Sequence, residues 1–194
     1  MEIRSASPTI TSLCPDFSLN PGADAFSAVR RLLSLVPDVL FIDGDTAYLK
    51  NPLPDETAAY TYGLEHQIIA CRAAAASLDI NHLRLAGAGG ITVEAFDWPS
   101  LAAGERYRNL HDGNLDSTAS LHDLAATLLR EASMSAADCE ITVPSNCGQQ
   151  LYDVVEVTDE GSGLAAAKYR VTGIGLDYRP SQGKYEMKLK LGGI

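Results

Sequence analysis

Metal ligation and nucleophilic catalysis would depend first on the cysteine and histidine side chains. The chain holds four of each: Cys14, Cys71, Cys139, Cys147, His66, His82, His111 and His122. No two cysteines form a Cys-x-x-Cys pair, and no two histidines stand four residues apart. The close ligand spacing that is typical of a structural zinc site is therefore absent. We expect the cysteines to be free thiols that are buried or partly buried.

The remaining nucleophile and carboxylate candidates lack a catalytic setting. Cys147 follows a short Pro-Ser-Asn segment, and no motif supplies the positioned base that a nucleophilic thiol needs. The acidic pairs Asp43 with Asp45 and Asp159 with Glu160 fall in predicted turns, whereas a catalytic pair needs one carboxylate in a desolvated pocket. We predict no catalytic residue and a protein that is not an enzyme.

Two loops resemble ligand-binding loops in part. Residues 87–90 (GAGG) follow a predicted strand, but a dinucleotide loop must open a helix, and residues 91–93 (ITV) favour a strand. Residues 112–116 (DGNLD) begin like a calcium loop, yet Ser117 replaces its glycine and Asp123 its glutamate. We predict a turn or bulge for the first loop and a polar turn ending in a helix cap for the second, with no metal and no cofactor.

The charge of the chain is acidic and unevenly distributed. The formal net charge is −10, and residues 151–194 hold six basic and six acidic side chains, so residues 1–150 carry the whole excess. An acidic surface repels phosphate, which argues against direct nucleic-acid binding. No segment reaches the roughly 20 apolar residues of a membrane helix, and the first residues lack a signal-peptide pattern. We expect cytoplasmic synthesis and no membrane contact.

The first half of the chain mixes helical and strand patterns. A helix is predicted from Ala25 to Val36, because apolar residues recur at helical spacing and Pro37 follows. Residues 39–42 and 46–49 surround an Asp-Gly pair, which predicts a β-hairpin.

The middle of the chain is less regular. Residues 65–86 are ambiguous between helix and strand, and we prefer two strands, around residues 68–69 and 83–85. Residues 97–116 are rich in Asp, Gly, Asn and Pro and predict a connector. A helix whose apolar face spans residues 121–132 follows it.

Strand patterns dominate the last third. The predicted strands are residues 141–143, 151–157, 169–176 and 185–191. Residues 180–183 (PSQG) predict the turn between the last two. The last strand alternates apolar and charged residues, and we expect it at a sheet edge. There Lys188 and Lys190 would deter random pairing and allow a specific acidic partner.

These elements predict an α+β fold in consecutive segments. An irregular lead-in (1–21) precedes a small α/β lobe (22–95), then a connector and helix (96–138), then an antiparallel β-sheet or barrel-like lobe (139–194). The abrupt start suggests a piece of a longer protein.

The last lobe carries a distinctive series of motifs. Residues 141–159 read ITVPSNCGQQLYDVVEVTD, residues 169–174 read YRVTGI, and residues 185–193 read YEMKLKLGG. Together they resemble the closing β-domain of bacteriophage tail hub proteins. Upstream, residues 81–87 (NHLRLAG), before a long connector and helix, fit the same resemblance. The N-terminal barrel usual in full hubs is not recognisable.

The resemblance implies a structural protein that acts by assembly. Its expected role is a baseplate hub that joins tail tube to spike, with tube, spike and baseplate proteins as partners, a homo-oligomeric ring in the full assembly, and a virion or phage-like particle as its location. Two alternatives stay open: a β-domain module that binds carbohydrate or protein, and an unrecognised hydrolase. An exposed aromatic cluster would favour the binding module, and a desolvated carboxylate or Cys–His pair in a cleft would favour the enzyme.

Overall fold

The computed structural model describes residues 2–4, 7–12, 14, 17–22, 24–74, 78–136 and 138–194. Parts of the predicted lead-in, residues 1, 5, 6, 13, 15 and 16, lie outside these ranges. The chain folds as two compact units, and each is built from two separate stretches of sequence. Met1–Pro52 and Ile80–Leu129 form the first unit, and Leu53–Asp79 and Arg130–Ile194 form the second. The fold is α+β, as predicted.

One three-stranded sheet of the first unit consists of β1 (Glu2–Arg4), β2 (Val39–Asp43) and β3 (Thr46–Lys50), in the order β1-β3-β2. β2 and β3 form the predicted antiparallel hairpin, and Gly44 lies in its turn. β1 joins β3 in parallel. We predicted an irregular lead-in, but part of it is a strand. Its three residues show no periodicity in the sequence, and they form a strand by pairing with β3, more than 40 residues away.

The N-terminal stretch of the same unit contains the helices α1 (Thr9–Ser12) and α2 (Ala25–Leu33). Asp24 caps α2 by accepting a 2.8 Å hydrogen bond from the Ser27 backbone N–H. α2 is the predicted helix, but it ends three residues earlier than expected. Its apolar stripe is only partly covered, since Phe26 is 67% exposed.

The second sheet of this unit consists of β6 (His82–Ala86), β7 (Thr92–Phe96) and β8 (Tyr107–His111), in the order β7-β6-β8. β7 runs antiparallel to β6, and β8 runs parallel to it. The connector predicted over residues 97–116 thus contains β8 and the short helix α3 (Trp98–Leu101). All five residues of β8 are exposed, so no apolar alternation reveals this strand in the sequence.

The long helix α4 (Thr118–Ala136) follows, and the division between the two units falls within it, after Leu129. Ser117 caps this helix, because its Oγ accepts a hydrogen bond from the Ser120 N–H at 3.1 Å. No helix in the described ranges combines the length and apolar character that crossing a membrane requires.

The second unit is organised around a six-stranded sheet. Its strands are β4 (Tyr60–Tyr62), β5 (Ala70–Ala74), β9 (Asp138–Pro144), β10 (Val154–Asp159), β11 (Leu164–Arg179) and β12 (Lys184–Gly192). They lie in the order β4-β10-β11-β12-β9-β5. All neighbours pair antiparallel except β4 and β10, which are parallel. The sheet is therefore mixed rather than purely antiparallel.

One apolar cluster packs on a single face of this sheet. It joins Tyr62 of one edge strand to Ile141, Val157 and Leu189 of inner strands, and Cys71 of the other edge strand packs against it. The cluster therefore extends across the sheet from one edge strand to the other, and β4 and β5 do not pair with each other among the described residues.

Two expectations about this sheet are wrong. β12 is not an edge strand, because it pairs with β11 on one side and β9 on the other. β4 and β5 join this sheet, although the sequence placed them in the lobe of residues 22–95. Local periodicity identifies a strand but carries no information about the sheet that it joins.

Candidate functional site

The two loops that resemble ligand-binding loops have structural explanations. Gly87–Gly90 connects β6 to β7 without opening a long helix, as predicted, and a Cβ at Gly87 would come within 2.3 Å of the Leu115 carbonyl oxygen. In the second loop, Asp112 accepts hydrogen bonds from the backbone and side-chain N–H groups of Asn114 at 3.0 and 2.9 Å. This arrangement is an Asx turn, the predicted polar turn before a helix cap.

The cysteines and histidines do not form a metal-binding group among the described residues. Across the described parts of the chain, no three His, Cys, Asp or Glu side chains form a set that could hold a metal ion. Cys139 is buried and Cys71 partly buried, as expected, but Cys14 and Cys147 are exposed. His66 packs edge-on against Tyr60, with 5.5 Å between ring centroids. That the chain needs no metal and holds no catalytic residue stays a prediction.

Arg170, from the YRV motif, is the largest fully buried side chain in the described ranges, at 0% exposure. Its guanidinium pairs with the Glu56 carboxylate at 3.1 Å and donates to the backbone carbonyls of Tyr152 at 2.9 Å and Leu53 at 2.6 Å. Tyr152 adopts a left-handed φ of 63°, which is uncommon for a bulky residue. Arg170 therefore holds two irregular segments of the second unit onto β11.

The motif between β9 and β10 forms a buried hydrogen-bond network. The Tyr62 hydroxyl donates to Gln149 Oε1 at 2.9 Å, and Gln149 Nε2 donates to Asp153 Oδ2 at 3.1 Å. Burial raises the pKa of Tyr62, while a hydrogen bond from Asn146 acts in the opposite direction. The polar residues of this motif thus fasten its turn to edge strand β4, which is a structural role.

The β11–β12 hairpin extends past its neighbouring strands. β10 pairs with β11 only from Leu164 to Arg170, whereas β12 follows β11 as far as Arg179. Among the described residues, no strand covers the other side of β11 over residues 172–179. This part of β11 presents unpaired backbone N–H and carbonyl groups, which can take up a further strand.

Apolar side chains continue from the core onto this extension. Leu176, Tyr178 and Tyr185 are 64%, 67% and 52% exposed, and the two tyrosine rings meet edge-on at a centroid distance of 5.3 Å. The register places them on the face of Met187, which is buried in the core. We call Leu176, Tyr178 and Tyr185 the hairpin surface. An exposed apolar extension of a core face is typical of a protein contact.

Ion pairs lie on the opposite face of the hairpin. Lys184 Nζ lies 2.8 Å from Asp177 Oδ2 and 3.0 Å from Glu186 Oε2, and Arg179 Nε lies 3.0 Å from Asp177 Oδ1. The hydrogen bond from Lys184 lowers the pKa of Asp177, and the one to Asp177 raises the pKa of Lys184. Two basic and two acidic groups leave this face without net charge.

The fold of this chain is similar to that of solved tail proteins, among them a prophage tail protein. A tail protein from Neisseria meningitidis MC58 aligns over 91% of this chain with a TM-score of 0.68 and 16% identity. The 43 kDa tail protein of prophage MuSo2 from Shewanella oneidensis aligns over 90% with a TM-score of 0.65 and 13% identity. A chain of the native gene transfer agent virion aligns over 87% with a TM-score of 0.61 and 16% identity.

This chain spans only part of those proteins, covering 57%, 54% and 38% of their respective lengths. No protein-family model matches the sequence, and no curated protein matches it. The likeness to these structures therefore lies in the fold alone.

Proposed function

We propose that this chain is a structural component of a phage or phage-like tail that acts by protein–protein assembly, at the baseplate hub between tube and spike. The observation that carries the proposal is the alignment of about nine-tenths of the chain with two tail proteins. The motifs that prompted the hub resemblance have structural roles: Arg170 donates to the Tyr152 carbonyl and Asp153 accepts from the Gln150 N–H, so both side chains anchor the turn before β10.

The hairpin surface is the proposed contact with tube, spike or baseplate proteins. Fully burying a large apolar side chain contributes about 1.5–3 kcal/mol, so its three residues offer a substantial share of a specific interface. The open side of β11 adds main-chain hydrogen bonds to an incoming strand. A homo-oligomeric ring in the complete particle, and no direct contact with nucleic acid, are part of the same proposal, since the net charge of −10 disfavours binding to phosphate.

The experiment is co-expression with the products of the genes that flank the gene for this chain, followed by affinity purification and light scattering. We expect a complex of defined mass, and we expect Tyr178→Ala with Tyr185→Ala to weaken it about tenfold or more. Phe26→Ala is the matched control, because it removes an equally exposed aromatic ring from the first unit.

Each outcome is decisive for the proposal. Loss of the complex in the tyrosine variant, with the control unaffected, supports it. The absence of any complex with the tail proteins contradicts the assembly role, and an unchanged complex in the tyrosine variant contradicts the assignment of the hairpin surface. Turnover of a substrate by the isolated chain would overturn the structural role itself.

A further inference from the structure

Four aromatic rings form a continuous row at one end of the β7-β6-β8 sheet. His82 stacks on Phe96 with 4.3 Å between ring centroids, Phe96 stacks on Trp98 at 4.8 Å, and Tyr107 meets His82 edge-on at 4.8 Å. The rings come from three strands and the start of α3. Because β6 pairs His82 with Phe96 on one side and Tyr107 on the other, the sheet register sets their spacing. We call this row the aromatic face.

The outer rings of the aromatic face are open to solvent. Trp98 is 71% exposed and Tyr107 is 52% exposed, so each end of the row presents a ring surface that no part of this chain's described structure covers. Between them, His82 is held in place by a 2.5 Å contact from its Nδ1 to Glu105 Oε1. An exposed, preordered stack of this kind is unusual on a protein surface without a binding role.

A row of polar side chains runs directly beside the rings. Side chains two residues apart on a strand share a face, so Asn109, Arg84 and Glu94 lie on the face of the aromatic row. Each is two residues along its strand from a ring of that row, and all three are exposed. This row offers an amide, a guanidinium and a carboxylate, so it supplies both hydrogen-bond donors and acceptors. Glu94 and Arg84 stand opposite each other across the register, and their charges balance.

We propose that the aromatic face, with its polar row, binds a neutral oligosaccharide. The C–H groups on the face of a sugar ring carry partial positive charge and are attracted to the negative π-face of an aromatic ring. Sugar hydroxyls donate and accept hydrogen bonds, which matches the mixed polar row. Because Arg84 balances Glu94, a phosphate-bearing or otherwise anionic ligand would still meet Glu105 and a chain of net charge −10. This binding site goes beyond the assembly role and does not depend on it.

The chain carries its own reporter for the test. Trp98 is its single tryptophan, so the intrinsic tryptophan fluorescence arises from the aromatic face alone. The purified chain is titrated with neutral chito-, malto- and galacto-oligosaccharides, with a sulfated polysaccharide and with a lysine-rich peptide. We expect at least one neutral series to shift the Trp98 emission with saturation, at a Kd in roughly the millimolar range, since the face is open rather than enclosed.

Variants distinguish stacking on the aromatic face from nonspecific binding to exposed aromatic rings. Tyr107→Ala retains the reporter and removes one end of the row, and we expect about tenfold weaker binding. Trp98→Ala is followed by affinity electrophoresis in a polysaccharide gel, where retardation should disappear. Phe26→Ala is the control, because it removes an exposed ring elsewhere in the same unit. Thermal melts of all variants verify that they are folded.

If no neutral saccharide changes the Trp98 emission, or if Tyr107→Ala binds as the unmodified chain does, the proposal is wrong. A response to the sulfated polysaccharide or the peptide alone also overturns it and identifies a charged ligand instead. None of these results bears on assembly, which is measured with a different surface and different variants.

Discussion

Replacing Arg170 by alanine should be among the most damaging single changes in the second unit. The substitution removes a guanidinium that is fully buried and that bonds Glu56, Tyr152 and Leu53 together. It leaves two backbone carbonyls without their donor and a carboxylate without its counter-charge. A cavity the size of the lost side chain adds to this effect.

The magnitude follows from comparable buried pairs. Removing one partner of a buried ion pair destabilises a protein by about 3–5 kcal/mol. Glu56 retains some solvation, because its side chain is 24% exposed, and it keeps the 2.8 Å hydrogen bond from the Leu53 N–H. We therefore expect about 3 kcal/mol for Arg170→Ala, near the lower end of that range. Arg170→Lys should lower the free energy of unfolding by about 2 kcal/mol, because an ammonium group cannot reach both carbonyls and the carboxylate as the planar guanidinium does.

The assay is equilibrium unfolding in urea followed by far-ultraviolet circular dichroism. Arg179→Ala is the matched control, since Arg179 is an exposed arginine whose pair with Asp177 should contribute about 0–1 kcal/mol. A double-mutant cycle with Glu56→Gln isolates the Arg170–Glu56 interaction. The reasoning is refuted if Arg170→Ala destabilises the chain no more than Arg179→Ala does.

Three further expectations test other features of the second unit. Gly192→Ala should destabilise it by about 1–3 kcal/mol in urea unfolding, because the new Cβ would lie 2.3 Å from the Met134 carbonyl oxygen, and an unchanged midpoint would contradict this packing. Tyr62→Phe should lose about 1–2 kcal/mol with the hydrogen bond to Gln149, whereas equal stability would show that the hydroxyl is not needed. Asp177 has a lowered pKa in the fold, so its ion pairs stabilise the folded chain above the unfolded pKa of 3.8. This stabilisation is lost as the pH falls through the lower folded pKa. Thermal melts measured at a series of pH values should therefore lack this acid-dependent loss in Asp177→Asn.

Sequence-based prediction succeeded best where the packing is regular. Alternation over residues 185–191 predicts β12, and the structure buries Met187, Leu189 and Leu191 on one face of it. The Asp-Gly hairpin and the polar turn that ends in a helix cap followed from local turn chemistry in the same way. These features depend on neighbours within a few residues, so their signals are local.

Features that depend on distant pairing were not predictable from local patterns. The central place of β12 and the parallel pairing of β4 with β10 arise from strands far apart in the chain. Arg170 has the pattern of an ordinary outward-facing charge within a strand, and only the carbonyls of Leu53 and Tyr152 explain its burial. The aromatic face unites side chains from three strands and the start of α3, whose sequences share no motif.

The interleaving of the two units has a consequence for synthesis on the ribosome. Tyr60 of β4 pairs with Val155, and Cys71 of β5 pairs with Ile141, while most of the first unit is encoded before or between these partners. Residues 53–79 therefore leave the ribosome early, and the edges of β4 and β5 stay unpaired until their partner strands β10 and β9 have been synthesised. Closing such long loops is slow, and exposed edges in waiting chains are prone to aggregation. Slow translation of residues 130–194 should thus lower the soluble yield more than slow translation of residues 1–52.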